Sequence, residues 1–94
     1  MNIIIKPSSR QGKKYDAIIN NNKTIPFGAR NYSDYTKHKD DDRKHNYLQR
    51  HKHDHFTNPL YPSFYSTNLL WNKKTLSESI KDTNKKYNVN IKMR

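Results

Sequence analysis

The sequence predicts an α+β fold: a small antiparallel sheet, made of a hairpin plus a C-terminal strand, packed against two or three short helices. Three observations lead there. Apolar residues alternate with period two towards the ends of the chain, at 13–29 and 88–94. Between those stretches, over 40–87, they recur instead at helical spacing. Finally, 94 residues of which 31% are hydrophobic can hold one domain, 1–94, with a modest core.

Residues 1–12 read as an N-terminal strand or tail. Ile3, Ile4 and Ile5 are β-branched, Pro7 ends the run, and Ser8 to Gly12 form a polar turn. In the hairpin 13–29, Tyr15, Ala17 and Ile19 fall on one face of the first strand. Asn20, Asn21 and Asn22 make the turn, because Asn tolerates left-handed backbone. Pro26 cannot donate to a ladder, so the returning strand is an edge or ends early.

A helix is expected from about Asp41 to His53. Its N-terminus carries Asp40, Asp41 and Asp42, and its C-terminus Arg50, His51 and Lys52, each matching the helix dipole. Pro59 and Pro62 interrupt the pattern, and a second helical piece runs from Ser63 to Asn72. The third helix has the strongest signal. Thr75 and Glu78 form a capping box, and Leu76, Ile80, Thr83 and Tyr87 share a stripe. After Asn88, the alternation of Val89, Ile91 and Met93 predicts a last strand that joins the hairpin. Phe27, Phe64, Tyr65 and Trp71 are assigned to the core; Tyr32, Tyr35 and Tyr61 are left for the surface. Seven Tyr and one Trp argue against full disorder.

Charge narrows the function. Nineteen Lys and Arg face eight Asp and Glu, a formal charge of +11. Such a chain favours polyanions and repels copies of itself. The absence of Cys excludes disulfides, thiolate zinc sites and Cys nucleophiles, and fits a reducing compartment. The apolar run 2–5 is too short for a signal peptide and no segment has membrane-spanning length, so a soluble, unsecreted protein is expected.

Four groups could carry chemistry. The first is the basic helix, where Arg43, Tyr47 and Arg50 share one side and Lys44 lies on an adjacent one. Lys37, Lys39, Lys52, Lys73 and Lys74 add to the excess. Guanidinium groups beside a Tyr ring can grip phosphate and stack on a base or sugar. The plainer reading is a solvated helix whose positive end answers its own dipole. The second group is His38, His45, His51, His53 and His55. An extended backbone would align His51, His53 and His55, whereas a helix would pair His51 with His55 at metal-binding spacing. The glutamate of the zinc-protease helix is absent, and solvent-facing or phosphate-binding histidines are the simpler account. Third, Asp34, Asp40, Asp41, Asp42 and Asp54 could hold magnesium in a metal-dependent nuclease, but Asp40 to Asp42 sit where a helix start wants acids. Fourth, the aromatic side chains could stack on bases, yet a core this small needs most of them inside.

Thr24–Ala29, then Tyr32–Asp40, then Arg43, Tyr47 and Arg50–Lys52 form a series of blocks. Leu69–Lys73, followed by Leu76, Ser79, Ile80 and Asp82, forms another. Together they resemble a family of small basic proteins encoded by nucleocytoplasmic large (giant) DNA viruses. The likeness covers roughly Tyr15 to Ile91 and departs in the segment Asp54 to Pro62, at the insert His55–Thr57. It implies a viral setting, in the virion or in the factory in the host cytoplasm, and it transfers no catalytic role. Asn, Lys and Ile, whose codons are AT-rich, supply about a third of the chain and agree with an AT-rich genome.

The expectation is therefore a viral structural protein that binds the phosphate backbone of nucleic acid, DNA in preference to RNA, without reading sequence. It is expected to have no catalytic residue, metal or cofactor. The rival is a minor capsid or cement protein whose basic surface meets acidic virion proteins. A metal-dependent nuclease stands third.

Overall fold

A computed structural model describes all residues, Met1–Arg94. Four strands and four helices follow one another as β1 (Asn2–Pro7), β2 (Lys13–Ile19), β3 (Lys23–Ala29), α1 (Tyr35–His38), α2 (Asp41–Arg50), α3 (Pro62–Tyr65), α4 (Leu76–Tyr87) and β4 (Asn90–Met93). A π-helical turn, Ser66–Leu70, continues α3. The α+β architecture is as the sequence predicts. The sheet, in the order β3-β2-β1-β4, is mixed and not purely antiparallel. β1, β2 and β3 pair antiparallel, whereas β4 lies parallel to β1, with Ile3 opposite Ile91. The expected last strand thus forms on the far side of β1, away from the hairpin. α4 brings the chain back over the sheet, and Asn88, left-handed with φ 54°, turns it sharply into β4.

Alternation builds the core. Ile3, Ile5, Ala17, Ile19, Ile25, Phe27 and Ile91 point to the inner face of the sheet and are buried. Phe64, Tyr65, Leu69, Leu70 and Ile80 cover them from the helical layer. The Tyr65 ring lies 5.3 Å from Phe27 and 5.0 Å from Phe64, pairs that add about 0.5–1.5 kcal/mol each beyond burial. Its hydroxyl donates to Pro59 O at 2.7 Å, and burial raises its pKa. Asn20 and Asn21 turn the hairpin with φ 51° and 58°, the left-handed pair that tight hairpin turns require. Pro26 places β3 at the edge of the sheet, and Asn84 shields the opposite edge. Asn84 Oδ1 accepts Ile91 N–H at 2.7 Å, and its Nδ2 donates to Ile91 O at 3.1 Å.

The helical boundaries differ in three places. α1 forms ahead of the predicted helical stretch because Asp34, buried, caps it and accepts both the Thr36 amide and hydroxyl. α2 stops at Arg50, and residues beyond it form turns. The expected helix from Ser63 to Asn72 splits at Ser66, where the π turn lets Asn68, Leu69 and Leu70 all be buried. The capping box of α4 is present: Thr75 Oγ1 accepts Glu78 N–H at 3.2 Å and donates to Glu78 Oε1 at 2.8 Å. No helix is long and apolar enough to cross a membrane.

Candidate functional site

α2 buries no residue. Asp40 caps it by accepting the Asp42 and Arg43 amides at 3.0 and 3.2 Å. Three of its side chains, Asp41, Lys44 and Tyr47, fasten it to the rest of the molecule. Tyr47 stacks on Trp71 with centroids 4.2 Å apart and planes 1° from parallel. Lys44 Nζ donates to Asn72 O at 2.5 Å and lies 4.9 Å from the Tyr35 ring. Tyr35 in turn donates to Asp41 Oδ1 at 2.5 Å, and that hydrogen bond raises the pKa of its phenol. Tyr35, expected at the surface, is therefore only 5% exposed. Its ring and hydroxyl hold α1 and α2 together.

This attachment opens a cleft of about 480 Å³ between α2 and the end of the β2–β3 hairpin. Arg43, Asn46 and Arg50 form one wall; Lys13, Ala29 and Tyr32 form the other. Phe27, Gly28, Leu70 and Trp71 contribute the floor. Gly28 is left-handed, φ 78°, and a Cβ there would lie 2.9 Å from Leu70 Cδ1. Only glycine fits that close approach without moving the floor. Lys14 also lines the cleft, but its Nζ is paired with Asp34 at 2.5 Å. That is the sole Lys or Arg ion pair in the molecule, so Lys13, Arg43 and Arg50 carry uncompensated charge.

Helical spacing thus brings Arg43, Tyr47 and Arg50 to one site, as expected, but Tyr47 is no stacking platform. One face of its ring meets Trp71; His51 lies 4.2 Å from its centroid at a 30° tilt. Burial raises its pKa. Trp71 itself is half-buried at the margin of the core. The remaining expected residues are scattered. Lys44 and Lys52 line a second groove of about 330 Å³ behind the Tyr47–Trp71 stack. Lys39 donates to Thr36 O at 2.8 Å, and Lys37 is exposed on α1. Lys73 and Lys74 are exposed before α4. Nearby, Asp82 accepts Asn72 Nδ2 at 2.8 Å; that bond, helped by Lys73, Lys86 and Lys85, keeps its carboxyl below the ordinary range.

Sequence reasoning omitted Lys13 and Asn46 and left Tyr32 outside the site. Tyr32 stands at the lip of the cleft, 75% exposed. The histidines do not converge. His51 Nδ1 is 2.7 Å from Asp54 Oδ2, while His55 stacks on Tyr61 at 4.3 Å. No three His, Asp or Glu side chains come together as metal ligands would.

Residues 3–51 match the model of a family described as of unknown function, DUF5754. The match covers just over half of the chain, including Lys13, Tyr32, Arg43 and Arg50. No curated protein and no solved structure matches.

Proposed function

We propose, from the premise that the chain belongs to the DUF5754 family of unknown function, that it binds the phosphate backbone of nucleic acid without reading sequence. The observation that carries this is the rim of the cleft, where Lys13, Arg43 and Arg50 stand without acidic partners. Guanidinium groups hold phosphate oxygens in a bidentate fork, and the surrounding excess of positive charge draws in polyanions from a distance. The protein acts as a binder, not an enzyme. The acids around α2 support the fold: Asp34 and Asp40 cap helices, and Asp41 holds the Tyr35 hydroxyl. The sequence resemblance supplies a setting, the virion or cytoplasmic factory of a large DNA virus, with DNA as the main partner.

One observation favours the second reading, a minor capsid protein. The outer face of the sheet has no helix over it and presents half-buried Ile4, Ile18 and Pro26 together with Lys6 and Lys92. Acidic virion proteins would meet that face.

Salt dependence tests the leading reading. With labelled duplex DNA, log K against log salt should slope at about −2.7 or more steeply, about −0.9 for each of at least three phosphate contacts. Sequence-shuffled duplexes should give the same line. A flat response would reject backbone binding and favour the capsid reading.

A further inference from the structure

We infer that the cleft takes an unpaired nucleotide, so that the preferred ligand is single-stranded nucleic acid. This rests on the phosphate-binding reading and goes beyond it. A surface that only gripped duplex backbone would need no nucleotide-sized recess among its cations. Here they surround a recess of about 480 Å³, within the range of small-molecule pockets. The recess has an apolar floor, Phe27, Leu70 and Trp71, and hydrogen-bonding groups on its walls from Ser33, Asn46 and Ser66. Those are the requirements of a base: a flat apolar body with polar edges.

Tyr32 supplies the missing stacking surface. Tyr47 is covered by Trp71 and His51, whereas Tyr32 is 75% exposed at the lip. Its ring takes part in no aromatic or cation–π pair and its hydroxyl in no hydrogen bond within the protein. An exposed aromatic beside a basic groove is the common device of single-strand binders, because every base offers a face to stack on. Lys13 and Arg43 or Arg50, on opposite walls, then hold the flanking phosphates. A duplex reaches only the rim, since its bases are paired and stacked, and freeing one costs a few kcal/mol.

The test is fluorescence anisotropy with a labelled oligo-dT of about 12 nucleotides and a duplex of equal length, at low salt. The single strand should bind at least about tenfold more tightly. Tyr32→Ala should lower the ratio of single-strand to duplex affinity by about fivefold to a hundredfold, the measured range for one stacked base. Tyr32→Phe should preserve it. Asn46→Trp, which fills the recess from an exposed helical position, should also collapse the ratio. Duplex binding equal to or tighter than single-strand binding, still dependent on Arg43 and Arg50, would overturn this inference and leave backbone binding standing. A ratio unmoved by both Tyr32→Ala and Asn46→Trp would do the same. Failure to bind either probe would overturn both readings.

Discussion

The charges at the cleft can be separated from charge in general by comparing two double substitutions that remove equal numbers of cations. Arg43 and Arg50 line the cleft without acidic partners. Lys85 and Lys86 lie on α4 near Asp82, whose carboxyl they help to keep ionised, so part of their field is cancelled where it arises. If Arg43 and Arg50 each neutralise one phosphate, replacing both with Ala should reduce the slope of log K against log salt by about 1.8. At about 0.1 M salt the same counterion release is worth about eightfold per contact, so affinity should fall by about sixtyfold. Lys85→Ala with Lys86→Ala should lower affinity by less than about fivefold and barely alter the slope. Anisotropy titrations across a salt series measure both quantities. Circular dichroism must show the fold intact, because arginine stems also pack. Equal losses for the two pairs would show that net charge alone governs binding, and the cleft would lose its claim to be the site.

Two further outcomes test the architecture. Asn84→Ala strips Ile91 of partners for its N–H and C=O, which should cost about 1–3 kcal/mol and lower Tm by roughly 5–15 °C; a Tm within a degree of the parent would show that water replaces the amide freely. The phenols of Tyr35, Tyr47 and Tyr65 have raised pKa values in the folded state. Folding therefore favours their neutral forms, so this stability is complete below the unfolded value of about 10 and disappears as pH climbs through the folded values. Melting curves between about pH 9 and 12 should show a steady fall in Tm accompanied by late-rising tyrosinate absorbance. A flat Tm over that range would contradict the assignment.

The elements visible in the sequence are those whose causes are local. The Asn20–Asn21 turn, the Thr75–Glu78 capping box and the alternation of Ala17 and Ile19 each depend on neighbours a few residues away. What escaped depends on distant partners. Nothing near Ile91 announces that its neighbour is Ile3, in parallel. Tyr35 looks like a polar-loop tyrosine until Asp41 and Lys44 close over it. Helical spacing placed Arg43, Tyr47 and Arg50 together, but not Trp71 against the Tyr47 ring. Lys13 belongs to the cleft only because tertiary packing carries the hairpin end to α2.

The two closed edges of the sheet have a colloidal consequence. In free solution, a charge of +11 keeps molecules of this protein apart. On a polyanion that protection disappears: the charge is neutralised while the local concentration rises steeply. Under those conditions an open strand edge would recruit the next molecule, and the coating would become a fibril. Pro26 leaves β3 without a donor at the centre of one edge, and Asn84 occupies the Ile91 position on the other. Copies crowded together on a polyanion would therefore lie side by side without zipping together, and such an array would stay a set of separable units.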